Sequence, residues 1–349
     1  MAYSKDRIRV KFDSQIFLLQ RHGGIRRYFT QLINTFWEYP ELGILPIVSE
    51  NLLTTDNSFK IKMLPYSITN ILKNSLIHND IIHFTFYLKP FYFFKGAQKK
   101  VSTLHDMIPE TTNLKLFQIW NPHFSKKFFI NNSDLVLCVS ESSFSEMKIN
   151  SSYTPPVITV TPLGSSMLNK IPAKPRNFAL PKFILYVGKR SGYKNWITLP
   201  EAIRSSRITT PLVLVGGGAL TRKELKYLSE SNLINQVYQL SVSDSELAWL
   251  YKNCEMLIST SLSEGFSLPP LEALSMNCKV VCTNIEPHRE IGGPHFEYFE
   301  PKDHIELGRK IHQNLVKAET NSFKNPVSGD FSWFRCAELT SKAYHSLFI

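Results

Sequence analysis

The chain has 349 residues and a mass of 40.1 kDa, a length that predicts two domains of roughly 150–180 residues each. Hydrophobic residues make up 43% of the sequence and charged residues 20%, which excludes a disordered or fibrous protein. The formal net charge is +11, and residues 1–180 hold 21 basic against 12 acidic side chains. This basic excess in the first half predicts that the two halves bind different partners.

Short apolar runs predict strands, and the amphipathic stretches between them predict helices. The runs are nearly continuous in Val, Ile and Leu, as in parallel sheets whose two faces are both covered by helices. The sequence therefore predicts an α/β fold with two doubly wound, Rossmann-like parallel sheets. The predicted strands are residues 8–12, 43–48, 80–86, 99–106 and 134–140 in the first half, and 182–188, 211–217, 237–241, 254–260 and 279–283 in the second.

The alternation of strands and helices breaks once, at residues 169–181, where three prolines, two lysines and one arginine occur together. That composition is typical of an interdomain linker. We predict an N-terminal domain over residues 1–170, a linker at 171–181 and a C-terminal domain over 182–330, with a cleft between the domains. The helical pattern of residues 331–349 predicts a last helix that packs back on the first domain.

Membrane-spanning and disulfide-bonded classes are not favoured. No stretch approaches the roughly 20 apolar residues of a spanning helix, and we expect no secretory signal because no apolar run follows the charges near residue 5. The five cysteines are irregularly spaced, mostly within apolar runs, and predict reduced, buried thiols in a cytosolic protein. Cys278, Cys282 and His288 lack the two matched ligand pairs of a structural zinc site, so we predict no metal.

The stretch SLSEGFSLPPLEALSMNCKVV, residues 261–281, lies between two predicted strands and opens a helix at Pro269 and Pro270, where a missing N–H is tolerated. The N-terminus of that helix would present N–H groups and a positive dipole end to a phosphate. Glu264 precedes the turn and Glu272 lies in the helix, and carboxylates accept hydrogen bonds from sugar and ribose hydroxyls. The spacing of the two residues is also compatible with simpler roles. In that alternative Glu272 only interacts with the helix dipole, and Glu264 is a solvated loop charge.

A basic loop, YVGKRSGYKNW, follows the first strand of the second domain. Gly188 ends the strand, and Arg190 and Lys194 follow within six residues. Glycine permits close backbone approach, Arg binds phosphate bidentately and Lys supplies a compact charge, so the loop suits a diphosphate. It lacks the residue order of a P-loop or a dinucleotide-binding turn. A solvated basic loop is the alternative.

The first domain offers two further candidates at predicted strand ends. Gly23 and Gly24 open a helix whose first amides can approach a ligand, and Arg26 and Arg27 are equally consistent with ligand contacts and with surface charges. His105 follows another strand. A lone His is more often a packed residue than a catalytic one, but its strand end predicts a place at the ligand-binding edge.

Ordered motifs across residues 8–300 form one recognisable set. In the first half they are Gly23-Gly24-Ile25, Arg27-Tyr28-Phe29, His105-Asp106 with Pro109, and Ser140-Glu141-Ser142; in the second half they are Tyr186-Val187-Gly188, Arg190, Tyr193-Lys194-Asn195, and the block from Glu264 to Glu272. This set resembles the retaining GT-B glycosyltransferases of group 1 (glycosyltransferase family four), which include bacterial mannosyltransferases of polysaccharide and O-antigen assembly. The Glu-x7-Glu block is the most specific of the motifs.

The resemblance implies a role for each matching position. Glu272 is similar to the family's ribose-binding Glu, and Glu264 to the Glu that contacts the donor sugar. Arg190 and Lys194 resemble the pair that neutralises the donor diphosphate. The remaining implied contacts are the backbone of Gly24 beside donor phosphates and acceptor, His105 beside the transferred sugar, and Gly188, Ser267 and Leu268 on the nucleotide.

Two positions depart from the family pattern, because Ser267 and Asn277 stand where family members commonly have glycine. The first departure changes a backbone position near the phosphates, and the second lies at a helix end, where Asn tolerates a positive φ. The segment MIPETTNLKLF after Asp106 lacks aromatic residues common in the family, which leaves the acceptor open.

The reaction places negative charge on the departing diphosphate. None of the nine Asp residues lies two positions from another, so the Asp-x-Asp metal device of other glycosyltransferases is absent, and we expect no metal or cofactor besides the nucleotide sugar. Arg190, Lys194 and the helix N-terminus would stabilise the charge instead. The spacing of the carboxylates does not identify any of them as a covalent nucleophile. The resemblance implies instead that the acceptor attacks from the front face, with retention of configuration.

Lys and aromatic residues mix in residues 59–74 and 86–100. Such stretches rest on anionic membranes, and we predict peripheral attachment at the inner face of the cytoplasmic membrane with a polyprenyl-diphosphate-linked or oligosaccharide acceptor. The alternative is that the aromatics belong to the core of the first domain and the lysines are solvated.

Other functions stay open at this point. A basic, aromatic-rich chain is compatible with nucleic-acid binding, although its basic residues are scattered and no recognised nucleic-acid-binding motif appears, so we expect no nucleic-acid partner. A nucleotide-sugar epimerase of the same fold, or a non-catalytic relative, is a further alternative. The resemblance favours GDP-mannose as donor, and the sequence does not identify the acceptor or the linkage.

Overall fold

The structure, a computed structural model, describes residues 7–13, 15–20, 23–48, 79–87, 97–108, 122–149, 154–190, 192–316 and 330–349. The chain divides into two compact units. The first unit comprises Met1–Gly164 and Ser332–Ile349, and the second comprises Ser165–Phe331. Each unit is built around one six-stranded parallel sheet.

The sheet of the first unit has the strand order β2-β1-β3-β4-β5-β6, and every described pairing in it is parallel. Central strands such as β5 are buried along their whole length because helices cover both faces. The strands are β1 (Ile8–Phe12), β2 (Ile44–Ile47), β3 (Asn79–Phe84), β4 (Ala97–Leu104), β5 (Leu135–Cys138) and β6 (Ile158–Val160).

The helices described in the first unit are α1 (Gln15–Leu19), α2 (Gly24–Glu38), α3 (Pro122–Asn131), α4 (Glu141–Ile149) and α11 (Trp333–His345). Helix α2 packs its apolar face, including Phe29, Leu32 and Phe36, into the core. Helix α11 comes from the end of the chain and packs against α2. The hydroxyl of Tyr344 lies 2.6 Å from Nδ1 of His83, and both side chains are fully buried. The last helix therefore belongs to the core of the first unit.

The sheet of the second unit has the order β12-β11-β10-β7-β8-β9, again with parallel pairings. Its strands are β7 (Ile184–Val187), β8 (Leu212–Val215), β9 (Val237–Leu240), β10 (Met256–Ser259), β11 (Val280–Thr283) and β12 (Glu297–Phe299). Its helices are α5 (Thr198–Ser205), α6 (Arg222–Glu230), α7 (Asp244–Asn253), α8 (Leu268–Ser275), α9 (Glu286–Gly292) and α10 (His304–Val316).

The predicted α/β architecture with two parallel sheets is confirmed. Each of the ten predicted strands overlaps a strand of the structure, and of the twelve strands in the described residues the sequence prediction missed β6 and β12. Both have three residues, and runs this short lack the length that marks a strand in the sequence.

The proline-rich segment at residues 169–181, predicted as a linker, lies against the second unit. The Phe178 ring packs on Phe183 and Trp249, with ring centroids 5.0 and 5.7 Å away. The N–H of Ala173 donates to the carbonyl of Ser245. The division between the units comes earlier in the chain, at Gly164.

The strand order of the second sheet locates its ligand-binding edge. The chain begins the sheet at β7, adds β8 and β9 on one side, and then returns to add β10, β11 and β12 on the other. In open parallel sheets a ligand binds beyond the carboxyl ends of the strands, where the order reverses. In this unit the reversal lies between β7 and β10.

In the parts of the chain that the structure describes, no helix has the length and apolar character needed to span a bilayer.

Candidate active site

The loops after β7 and β10 meet through a buried ion pair. Nζ of Lys194, in a 3-10 turn at Gly192–Lys194, lies 2.5 Å from Oε1 of Glu264. The two side chains are only 16% and 8% exposed. Ser261 donates its hydroxyl to the same carboxylate oxygen at 2.6 Å. Two residues predicted separately from their motifs are thus in direct contact at the point where the strand order reverses.

The backbone holds this ion pair in place. The N–H of Leu262 donates to the carbonyl of Tyr193 at 2.8 Å, and Oγ1 of Thr260 donates to the carbonyl of Lys194 at 2.8 Å. These bonds join the loop after β7 to the loop after β10 on both sides of the pair. The position of Lys194 is therefore set by backbone contacts as well as by its charge.

Helix α8 begins immediately after the Glu264 loop. Its first residue is Leu268, and the two prolines follow at once, as the sequence predicted. Glu272 lies inside this helix and is 2% exposed. Tyr251, which is fully buried on α7, donates its hydroxyl to Oε2 of Glu272 at 3.0 Å. This contact holds a buried carboxylate in the middle of the helix in one rotamer.

The residue before α8, Ser267, has a left-handed backbone conformation and does not cap the helix with its side chain. Its Oγ lies 3.0 Å from Nε2 of His288, which is fully buried. On the other side of the ring, Nδ1 lies 2.8 Å from the carbonyl of Thr283. Burial lowers the pKa of His288 to about 4, so the ring is neutral near pH 7, donates through Nδ1 and accepts through Nε2.

Cys278, Cys282 and His288, which the sequence predicts to be structural rather than metal ligands, each contact other groups. Sγ of Cys278 lies 3.3 Å from Sγ of Cys254, and the His288 ring bonds to Ser267 and Thr283. Among the described residues, no group of three or more His, Cys, Asp or Glu side chains is arranged to hold a metal ion.

Arg190 is engaged by a turn made of glycines. Its guanidinium donates to Oε1 of Glu224 at 2.9 Å and to the carbonyls of Gly216 and Gly218, both at 2.8 Å, with a further bond to Ala219 at 3.1 Å. The side chain is 2% exposed. Three successive glycines, from Gly216 to Gly218, have positive φ angles, which this loop needs in order to point its carbonyls at one guanidinium.

A cavity of about 470 Å³ lies beside this loop. Its lining residues are Lys189, Arg190, Gly217, Gly218, Thr221 and Glu224. The volume is in the range of small-molecule sites. Gly188, at the end of β7, has φ 140°, and a Cβ placed on it would meet no atom within 4 Å. The space beside the α-carbon of Gly188 is therefore open.

The sequence did not identify Glu224 as a site residue. Its pKa is lowered, because hydrogen bonds from Thr221 and Arg190 outweigh the opposing effect of burial. Oε2 accepts from the N–H of Thr221, and Oε1 accepts from Arg190. The pattern Thr-x-x-Glu signals the capping box that opens α6. That signal predicts the helix start but not the arginine, which comes from another strand end.

In the first unit, the structure places Gly24 at the first residue of α2 and His105 directly after β4. Nε2 of His105 is buried, and no hydrogen-bond partner for it is found among the described residues. The ring packs edge-on against Tyr28 and Phe29 at centroid distances of 5.3 and 5.7 Å. Burial, with the nearby Lys126 charge, lowers the pKa of His105 to about 3. The structure thus places a neutral imidazole at the end of β4, and its contact with the transferred sugar stays a prediction.

Of the two arginines in α2, Arg26 is buried. Its Nη1 donates to the carbonyls of Phe17 and Gln20 at 3.0 and 2.9 Å. Arg26 therefore ties α2 to the chain after β1. The membrane prediction rests on residues 59–74 and 86–100; all of the first segment and residues 88–96 of the second, including Lys95, lie outside the described residues.

The chain is similar to known proteins in sequence and in fold. Residues 169–322 match the family model of glycosyl transferases group 1. An N-acetylgalactosamine-N,N′-diacetylbacillosaminyl-diphospho-undecaprenol 4-alpha-N-acetylgalactosaminyltransferase of Campylobacter jejuni is 28% identical over 58% of this chain and 57% of its own length. O-antigen chain mannosyltransferase B of Escherichia coli is 28% identical over 62% of each chain. The matched regions thus span less than two thirds of these relatives.

Among solved structures, sucrose-phosphate synthase from Thermosynechococcus elongatus superposes with a TM-score of 0.69 over 98% of this chain and 95% of that one, at 16% identity. The chain has the GT-B fold, whose two units are each a parallel sheet flanked by helices. The part of the chain that is similar to the group 1 glycosyltransferases, residues 169–322, therefore carries the Lys194–Glu264 pair and Glu272. The chain is related to bacterial O-antigen mannosyltransferases.

Proposed function

We propose that this protein is a retaining, metal-independent glycosyltransferase. It transfers a hexose from a nucleoside-diphosphate sugar to a hydroxyl of a lipid-linked or oligosaccharide acceptor in bacterial surface polysaccharide biosynthesis. The observation that carries the proposal is the buried Lys194–Glu264 pair where the strand order reverses, directly before the N-terminus of α8. A cation, a carboxylate and a helix N-terminus together suit a sugar joined to a diphosphate.

The second unit binds the donor in this proposal. Lys194 and the first amides of α8, those of Ser267 and Leu268, contact the diphosphate. Both sources of positive charge act without a metal, in surroundings with little water, where electrostatic stabilisation is strongest. The carboxylate of Glu264 faces the sugar hydroxyls and keeps Lys194 oriented.

The buried carboxylate of Glu272 accepts hydrogen bonds from the ribose. The hydroxyl of Tyr251 supports this role, because its bond to Oε2 holds the carboxylate in one rotamer. Gly188 allows the nucleotide to approach the end of β7. GDP-mannose is the favoured donor, on the resemblance to mannosyltransferases and the relationship to the E. coli enzyme.

The transfer itself is a front-face substitution. The bond between the anomeric carbon and the β-phosphate oxygen breaks, and the acceptor oxygen bonds to the same face of that carbon. The acceptor proton passes to the departing diphosphate, so the products are the glycoside and a nucleoside diphosphate. Lys194 and Arg190 favour this step by stabilising the leaving charge, Lys194 directly. Each such contribution is worth roughly a hundredfold in rate.

In this proposal the first unit binds the acceptor. Gly24 presents a helix start without a side chain, and His105 presents a neutral ring beside the transferred sugar. We propose a polyprenyl-diphosphate-linked acceptor and peripheral attachment of the protein to the cytoplasmic face of the membrane. The Campylobacter jejuni relative is named for a diphospho-undecaprenol acceptor, which supports this assignment.

The test is a thermal-shift screen of GDP, UDP, dTDP and ADP, followed by mass spectrometry of reactions with the corresponding sugars in EDTA. We expect one nucleotide to raise the melting temperature well above the others and its sugar to be transferred without added metal. Failure of every nucleotide to bind would contradict the proposal. Dependence of transfer on Mg²⁺ or Mn²⁺ would contradict the metal-independent part alone. An inverted anomeric configuration in the product would contradict retention.

A further inference from the structure

The start of α8 has few backbone donors. Pro269 and Pro270 follow its first residue and have no N–H. Of the N–H groups that a helix leaves unpaired at its N-terminus, those present at this end belong to Ser267 and Leu268. Any anion bound by the helix end must therefore be held by these two amides.

Both amides are oriented by the backbone angles of one residue. Ser267 has φ 67° and ψ 69°. Rotation about φ turns the peptide group that carries the Ser267 N–H, and rotation about ψ turns the group that carries the Leu268 N–H. The relative direction of the two donors is thus set by Ser267. A residue with a Cβ disfavours this left-handed region, whereas glycine adopts it readily.

The side chain of Ser267 is held where this conformation requires it. Its hydroxyl donates to Nε2 of His288 at 3.0 Å, and the ring is anchored through Nδ1 to the carbonyl of Thr283 at the end of β11. Oγ1 of Thr283 in turn donates to the carbonyl of Ser261, whose hydroxyl bonds Glu264. One chain of hydrogen bonds therefore runs from the Lys194–Glu264 pair to the start of α8.

We propose that Ser267 and His288 are positioning residues for the donor diphosphate. The Ser267–His288 hydrogen bond holds Ser267 in its left-handed conformation and so directs the amides of Ser267 and Leu268 at one phosphate group. Because its proton is committed to His288, the Ser267 hydroxyl does not itself contact the phosphate. This inference rests on the proposed function, since it takes a nucleoside diphosphate as the ligand.

The test compares Ser267→Ala with Ser267→Gly in the full chain. The probe is whichever of GDP, UDP, dTDP and ADP binds the wild-type protein, measured by isothermal titration. Alanine loses the hydrogen bond and keeps the strain, so we expect affinity to fall about tenfold. Glycine adopts the left-handed conformation without a hydrogen bond to His288. We therefore expect Ser267→Gly to bind the nucleotide with nearly wild-type affinity. Unfolding of each variant without ligand shows that it is folded.

The second arm replaces His288 in both backgrounds. His288→Phe removes the acceptor and weakens binding about tenfold when residue 267 is Ser, but has little further effect when it is Gly. His288→Gln, which retains an acceptor, restores part of the affinity. A general structural defect would weaken both backgrounds equally. If His288→Phe does not fold, the comparison of the two Ser267 variants decides the question.

Three outcomes separate the hypotheses. Equal loss in Ser267→Ala and Ser267→Gly would mean that the hydroxyl contacts phosphate directly, and unimpaired binding by Ser267→Ala would mean that the residue has no role. Either result overturns this inference and leaves the proposed function intact. If none of the four nucleotides binds the wild-type chain, the proposed function fails and the inference fails with it.

Discussion

Arg190 and Glu224 form an ion pair, Nε to Oε1 at 2.9 Å, that joins the end of β7 to the start of α6. The pair spans 34 residues of sequence and encloses the glycine turn from Gly216 to Gly218. The guanidinium group of Arg190 donates hydrogen bonds both to the carbonyls of this turn and to the Glu224 carboxylate. Its role as a direct ligand of the donor diphosphate stays a prediction, and the two roles predict different results on substitution.

Arg190→Lys keeps the charge but loses the fork. If the arginine holds the glycine turn, we expect the free energy of unfolding to fall by about 2–3 kcal/mol, because several buried acceptors lose their donors. Urea denaturation measures this change. Lys189→Ala, an exposed neighbour, is the control and should change stability by less than about 0.5 kcal/mol. Unchanged stability with a raised KM for the donor would instead favour direct phosphate binding.

Lys194→Met should reduce transfer by at least about a hundredfold, because the departing diphosphate loses a fixed cation. It should also destabilise the fold, because the Glu264 carboxylate stays buried without its cation. Combining it with Glu264→Gln removes that unpaired charge, and the double variant should regain stability without regaining activity. Lys226→Met, in an exposed ion pair with Glu230, is the matched control. Recovery of transfer in the double variant would contradict the role of Lys194.

Glu272→Gln should weaken nucleotide binding about tenfold, because a neutral amide accepts hydrogen bonds from ribose less strongly than a carboxylate. The amide oxygen can still accept from Tyr251, so we expect the variant to fold. Titration with the 2′-deoxy and 3′-deoxy forms of the bound nucleotide identifies the contact. At least one should bind the wild type more weakly than the parent nucleotide, and the difference should vanish in the variant. A difference that persists would place the ribose contact elsewhere.

Tyr344→Phe removes the hydroxyl that bonds Nδ1 of His83. The ring stays packed, but a fully buried imidazole nitrogen loses its partner, so the variant should be about 1–3 kcal/mol less stable. Tyr238→Phe, at a tyrosine that is 41% exposed, should change stability by less than about 0.5 kcal/mol. Denaturant unfolding followed by far-UV circular dichroism measures both. Equal effects of the two substitutions would contradict the proposed contribution of this bond.

Acid should destabilise the first unit. Burial lowers the pKa of His83 and of His105 to about 3. Below pH 6.5, therefore, the unfolded chain binds two protons that the folded unit does not bind. Burial raises the pKa of Asp13 to about 6 despite its bonds to Thr85 and Gln15, so between pH 6 and 4 the folded state binds one proton that the unfolded state lacks. The net difference near pH 5 is one proton, or about 1.4 kcal/mol of stability lost per pH unit.

Asp13→Asn removes the opposing titration, so the loss of stability near pH 5 should steepen to about 2.7 kcal/mol per pH unit. Urea midpoints between pH 7 and pH 4.5 provide the slopes for both proteins. Only the slope matters, since the substitution also changes hydrogen bonds to Thr85. An unchanged slope would show that Asp13 does not titrate in this range.

Local patterns in the sequence predicted the elements of the fold and the motif residues of the site. The apolar runs are visible without knowledge of neighbours, and two prolines mark the start of α8 wherever it packs. Lys194 and Glu264 were both predicted, but their contact across 70 residues follows from β10 lying beside β7. That adjacency is a property of the sheet order.

The partners that the sequence missed are long-range contacts of the same kind. The sequence identifies Glu224 as a capping residue and His288 as a histidine in a helix. Neither pattern indicates that Glu224 binds Arg190 or that His288 binds Ser267. The left-handed conformation of Ser267 could be suspected only because related proteins commonly have glycine there. The hydrogen bond that accompanies it depends on α9 packing beside α8.

The position of α11 in the core of the first unit affects how this protein is made. During synthesis, the ribosome completes the whole of the second unit before residues 333–345 emerge to cover α2. Until then His83 lacks Tyr344, and the nascent first unit exposes the apolar surface that the last helix will cover. We therefore expect the inserted unit to fold first and the earlier-synthesised one to depend on chaperones for longer.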